Sequence, residues 1–172
     1  MPESDVELLE SAARSAGEIA LRFWKQDPEV WDKGVNDPVT EADLAVDAHL
    51  KEALLQARPE CGWLSEETPD TEDRLRQTRV FIVDPIDGTR AFLDGQDTWA
   101  HSIALVENGT VIAGVVYLPA LDRLNAAELG EGATINRVPM KVSQRDDPPG
   151  ATVLANKAAF DEKYWRVSPE DM

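Results

Sequence analysis

The sequence predicts an α+β domain in which two amphipathic helices come first and an antiparallel sheet follows. Three observations carry this. Apolar residues recur at helical spacing through residues 4–57. After Arg58-Pro59 the pattern becomes extended, with short apolar runs between turn residues. Asn108-Gly109 then separates two such runs, a strong hairpin signal.

Taken in order, residues 4–26 predict the first helix. Val6, Leu9, Ala13, Ala16, Ile19, Ala20 and Phe23 form its apolar face, Ser4 or Asp5 its cap, and Asp27-Pro28 its end. Lys33-Gly34-Val35-Asn36-Asp37-Pro38 reads as a turn-rich loop. Thr40, with Asp43 three positions on, opens the second helix in a weaker form of the capping box. Val46, Leu50, Ala53, Leu54 and Ala57 are its expected buried face. Gly62-Trp63-Leu64 is a short apolar stretch running into Ser65-Glu66-Glu67, and residues 79–84 read as a buried strand. Residues 99–107 and 111–118 are the two hairpin strands, and 124–129 and 133–136 continue the sheet. Two domain segments are expected: residues 1–145, and a linker with the start of a further segment over 146–172. In the latter, Ala151 to Ala155 reads as a strand and Ser168-Pro169-Glu170-Asp171 as a helix start, which suggests a chain that continues.

The 172 residues suffice for one domain with a real core. No apolar run approaches the roughly 20 residues of a membrane span, so no membrane partner is expected. Nor does the acidic N-terminus read as a signal peptide. One cysteine, Cys61, excludes an internal disulfide and suits a reducing compartment, so the expected location is cytoplasmic. The formal net charge of −16 repels nucleic acid. An anionic ligand would therefore need local positive charge, and a bound cation is the natural source.

The chemistry centres on Asp84-Pro85-Ile86-Asp87-Gly88-Thr89. An apolar strand delivers Asp84 to its end, and Pro85 cannot donate to the ladder, so pairing should stop there. The turn returns Asp87 toward the side of Asp84. Gly88 permits close backbone approach, and Thr89 can start a short helix whose free N–H groups suit a phosphate. Two carboxylates about 4 Å apart at an effective dielectric near 20 repel by about 4 kcal/mol. A hard divalent cation removes that cost, and all-oxygen ligands favour Mg²⁺. Glu66, ending another strand, is the third candidate carboxylate. Against this stands an ordinary Asp-rich turn, since Asp-Gly is common in turns.

Asp84 to Phe92 resembles the hallmark of the inositol monophosphatase-like superfamily of metal-dependent phosphatases. Lys33, Pro38-Val39-Thr40-Glu41-Ala42-Asp43, Ser65-Glu66-Glu67, Gly114-Val115-Val116-Tyr117 and Gly130-Glu131-Gly132-Ala133 follow in the order of that family. The resemblance extends to about Ser143 and implies a layered, sugar-phosphatase-like N-terminal domain. It implies that Glu66, Asp84 and the Ile86 carbonyl ligate a first Mg²⁺, and that Asp84 and Asp87 contribute to a second. Asp43 and Thr89 would position and deprotonate the attacking water, and Gly88 and Thr89 would offer N–H groups to the substrate phosphate. Many members of that family are homodimers, so the expected partners are a second copy and a small phosphorylated substrate.

Two departures accompany the resemblance. The family's Trp-Asp motif, which supplies a further metal-binding aspartate from a C-terminal half, has no counterpart here: Trp31-Asp32 has the letters but precedes the Thr40 helix. Asn136-Arg137 stands where Asn-Gly is expected. The implied function is Mg²⁺-dependent hydrolysis of a small phosphate monoester such as an inositol monophosphate. The alternatives are a 3'(2'),5'-bisphosphate nucleotidase, which Thr-Arg-Ala-Phe resembles about as well, and a non-catalytic metal-binding module. Histidinol phosphate and fructose bisphosphate are further candidate substrates. His49, His101 and Cys61 read as structural residues. Trp99 could line the site, while Lys33 and Glu67 fit either the site or a solvated surface.

Overall fold

The computed structural model describes residues 3–34, 37–146, 150 and 152. Met1–Met140 form one unit and Lys141–Met172 another. The strand expected over 151–155 and the helix start at 168 lie outside the described residues.

Helix α1 (Asp5–Phe23) begins at Ser4, whose hydroxyl accepts from the Glu7 amide while Glu7 returns a bond to the Ser4 amide. Leu9, Ala13, Ala16 and Ala20 are fully buried, as the helical spacing predicts. The helix stops three residues short of its expected end, and Lys25 and Asp27 turn the chain with positive φ. The segment expected as a loop contains an antiparallel hairpin instead, β1 (Val30–Gly34) with β2 (Asp37–Thr40). Gly34 pairs with Asp37 and Asp32 with Pro38, so both flanks of the expected loop are extended. Helix α2 (Glu41–Ala57) follows with a complete capping box, in which Thr40 and Asp43 exchange bonds. Its buried face runs through Ala42, Asp43, Val46, Asp47, Leu50 and Leu54. Ala57, expected inside, is exposed.

Among the described residues the sheet has seven strands: β3 (Gly62–Ser65), β4 (Arg79–Asp87), β5 (Ala100–Glu107), β6 (Thr110–Leu118), β7 (Arg123–Glu128), β8 (Gly132–Ile135) and β9 (Val138–Met140), in that order. Every pairing is antiparallel except β3 with β4. The sheet is therefore mixed. The chain from β3 passes through a 3₁₀ turn (Glu72–Arg76) and so enters β4 in the same direction. Asn108 and Gly109 both take positive φ and close the predicted β5–β6 hairpin. On β4, Phe81 and Val83 are buried while Ile82 is exposed, so the apolar run has only one covered face. Phe81, Val83, Ile103, Leu105, Ala113, Val115 and Leu124 join the apolar faces of α1 and α2 in one core.

At Gly17, helix α1 leaves no room for a side chain against Tyr117 of β6 and Pro119. A Cβ there would meet the Tyr117 ring at 2.6 Å and Pro119 at 3.1 Å. Gly17→Ala would gain about 1 kcal/mol of helix propensity. Overpacking costs typically about 1–3 kcal/mol and outweighs it. Urea unfolding is expected to show a net loss, and a stabilised variant would contradict the close approach.

Asn136 and Arg137 both have positive φ, which accounts for the Asn-Gly expectation at this turn. Arg137 takes the glycine position and reaches the buried Glu10 of α1 at 2.9 Å. The ion pair offsets a backbone conformation that a side chain disfavours.

Candidate metal centre

The carboxylates singled out in the sequence converge where α2, β3, β4 and α3 (Thr89–Leu93) meet. Pairing of β4 with β5 is regular to Asp84, breaks across Pro85 and Ile86, and resumes at Asp87 opposite Ala100. Pro85 has no N–H to give the ladder, yet pairing does not stop there as expected: the strand bulges and continues to Asp87. His101, fully buried on β5, places Nδ1 against the Pro85 carbonyl and holds that bulge. The structural role expected for His101 is thus specific: it braces the segment between the two aspartates.

Beyond Asp87, Gly88 adopts φ 93° and ψ 41°, the left-handed conformation that glycine takes without strain, and α3 starts. The Thr89 hydroxyl lies 3.2 Å from the Ile86 carbonyl and 3.4 Å from Asp43 Oδ1. The other Asp43 oxygen accepts from the Thr40 amide at 2.8 Å and the Thr40 hydroxyl at 2.5 Å. The capping geometry of α2 thus orients Asp43 with one oxygen toward Thr89. Burial raises the Asp43 carboxyl above its ordinary range, while the Thr40 bonds oppose the shift.

Asp84 is the most perturbed carboxylate of the group. Burial, and after it the neighbouring Glu66, Asp87, Asp43 and Glu67, push it up to about 7. Glu67 is also raised, chiefly by burial, with the Lys33 bond opposing. Lys33 reaches in from β1, its ammonium 3.1 Å from Glu66 and 2.8 Å from Glu67. The site thus contains one lysine that the sequence left undecided, and Glu67 faces it rather than solvent. No three acidic, histidine or cysteine side chains among the described residues stand in a metal-holding arrangement.

Trp99, a tryptophan that could have lined the site, is a core residue and fully buried. It packs edge-on against Phe92 with ring centroids 4.9 Å apart and against His101 at 5.8 Å. His49 joins α2 to α1 through Ser15, 2.8 Å away. Asp47, one helical turn after Asp43, also belongs to this region and accepts from the Ser65 and Thr68 hydroxyls, a role its place in the sequence does not announce. Its only signal was an acid at i+4 from Asp43 on a face expected to be apolar.

Fold and site together define an α+β domain built around a partly buried carboxylate cluster at the edge of a bulged strand. The chain belongs to the inositol monophosphatase family, whose description matches residues 1–166. Enzymes of this family are generally metal-dependent phosphatases. A histidinol-phosphatase of Chlorobaculum parvum is 33% identical over 166 residues, covering 96% of this chain and 61% of the relative. An inositol-1-monophosphatase of Mesorhizobium japonicum is 40% identical over 135 residues, covering 78% of this chain and 48% of the relative. Among solved structures, the extragenic suppressor protein SuhB of Bartonella henselae superposes with a TM-score of 0.76 at 38% identity, covering 80% of this chain and 54% of that one. The chain thus spans about half to three fifths of the length of these relatives. No helix among the described residues is long and apolar enough to cross a membrane.

Proposed function

We propose that this chain carries the metal-binding part of a Mg²⁺-dependent phosphatase acting on a small phosphate monoester. The observation that carries this reading is Asp84, a partly buried carboxylate surrounded by Glu66, Asp87, Asp43 and Glu67. Such a group of hard oxygens is costly alone and suits a hard divalent cation. The donors are all oxygens, the chemistry such an ion prefers: with Glu66 released from Lys33, Glu66, Asp84 and the Ile86 carbonyl would hold one ion, and Asp84 and Asp87 would contribute to a second. Divalent ions held there would offset charge on the phosphoryl oxygens and make a neighbouring water a stronger acid.

The protein's own part is to place a proton acceptor. Thr89 hydroxyl and Asp43 carboxylate are 3.4 Å apart. A water donating to Thr89 Oγ1 would pass its proton toward Asp43, whose raised affinity for protons suits a general base. Gly88 and Thr89 would direct backbone N–H groups at the phosphate. This arrangement asks for positioning and charge rather than a covalent intermediate.

The inositol and histidinol names of the relatives bring both phosphates into the test, and the Thr89-Arg90-Ala91-Phe92 segment keeps adenosine 3',5'-bisphosphate beside them. Phosphate release with Mg²⁺ would be measured on all three, for this chain and for a version extended to the length of its relatives. The extended native chain is expected to turn over one of them. Thr89→Ala should reduce that rate by about 10²-fold or more, the usual weight of a positioned acid–base group. Mg²⁺ binding without release from any of the three would favour the non-catalytic metal-binding module. A homodimer remains part of the proposal, with sedimentation as its test.

A further inference from the structure

We propose that Asp47 is a positioning residue for the metal-binding carboxylates, fixing Glu66 and Glu67 against Asp84 and Asp43. The inference rests on the metal-centred reading above and assigns a role to a side chain outside the proposed ligand set. Asp47 is buried on α2, one helical turn beyond Asp43, so the two carboxylates share a face. A buried carboxylate is costly without partners, and each Asp47 oxygen has one. Ser65 donates to Oδ1 and Thr68 donates to Oδ2.

Those two hydroxyls bracket Glu66 and Glu67 in the chain. The Ser65 hydroxyl also accepts from the Glu67 amide at 3.2 Å. On the other side, the Glu66 amide reaches the carbonyl of Val83, the residue before Asp84, at 3.3 Å. The backbone of Glu66 is therefore held between strand β4 and the Asp47 clamp. The same helix carries Asp43, so one rigid element sets both the proposed base and the first proposed metal ligand. A purely structural tie between α2 and β3 would be cheaper with apolar residues than with a buried carboxylate that needs a partner for each oxygen. A clamp made of charge is understandable where cations are to be held.

The test is titration of Mg²⁺ by calorimetry and by thermal shift, on native chain, Asp47→Asn, Ser65→Ala combined with Thr68→Val, and all three changes together. Asp84→Asn serves as the control for the metal reading. Asp47→Asn and the hydroxyl-free variant should each weaken Mg²⁺ binding by about 10- to 100-fold, the range seen when groups behind metal ligands are removed. The triple variant should be no weaker than the weaker of the two, because both sets of changes remove the same clamp. Native-like Mg²⁺ affinity in Asp47→Asn would overturn the inference while leaving the metal site standing. Native-like affinity in the hydroxyl-free variant would overturn it too, since the charge of Asp47 would then act without the loop. If Asp47→Asn fails to fold, the hydroxyl-free variant decides alone. A native chain that does not respond to Mg²⁺ would overturn the metal-centred reading and this inference together.

Discussion

Asp84→Asn is expected to melt above the native chain in the absence of divalent metal at pH 8, and to lose the response to Mg²⁺. Burial and four neighbouring carboxylates raise the Asp84 pKa from 3.8 to about 7. A carboxyl raised on folding contributes stability that is complete below 3.8 and is lost as pH rises through 7. At pH 8 the folded chain therefore carries an ionised group that it disfavours, and the neutral amide removes that burden. Mg²⁺ changes the sign of the comparison. At a metal concentration 100 times Kd, binding stabilises the native chain by about 2.7 kcal/mol. For a chain of this size that raises Tm by roughly 5–10 °C. Asp84→Asn should move by only about 1 °C. Thermal melts with and without millimolar Mg²⁺ check both halves. A native Tm indifferent to Mg²⁺, or a variant that keeps the full shift, would sink the assignment of this cluster as a metal site.

The second large effect is acid sensitivity through His101. Its ring is buried, Nδ1 meets the Pro85 carbonyl, and Nε2 has no partner among the described residues. Burial lowers its pKa from 6.5 to about 4, with the Pro85 bond opposing. Between those values the unfolded chain binds the extra proton, so stability falls as pH drops from 6.5 toward 4. The shift corresponds to on the order of 3 kcal/mol. Asp84 titrates the opposite way across this whole window, so the native profile alone mixes two slopes. His101→Asn keeps an N–H donor toward Pro85 but cannot gain the proton. It should be less stable at pH 7 through the space it leaves. Its stability should then fall by on the order of 3 kcal/mol less than the native chain's between pH 7 and 4. Urea unfolding at stepped pH measures this, and parallel profiles would show that His101 does not titrate on unfolding.

Both predictions depend on residues whose importance was unevenly legible. Asp84, Asp87 and Thr89 could be read directly, because Pro85 and Gly88 punctuate the chain locally, although the strand bulges at Pro85 rather than ending and Gly88 turns left-handed. Asp43 was legible as part of a cap, and the full capping box turned out stronger than the spacing suggested. His101 was recognised as structural, but its task was not, since its partner Pro85 is 16 residues away. Lys33 was left undecided for the same reason: its carboxylates lie 33 and 34 residues along the chain.

The sequence by itself determined the two helices with their caps, the β5–β6 hairpin and the strand that carries Asp84. Each of these follows from apolar spacing or from the backbone limits of Ser, Pro, Asn and Gly, which act within a few residues. Tertiary structure alone decided the parallel pairing of β3 with β4, the reach of Lys33 to Glu66 and Glu67, and the clamp of Asp47 on Ser65 and Thr68. A four-residue strand such as Gly62–Ser65 carries no local mark of its partner, and a hydrogen bond between α2 and the loop after β3 exists only once the core has brought them together. The same packing drove Trp99 inward, because a large aromatic ring gains more from Phe92, Trp24 and His101 than from the open edge of the site.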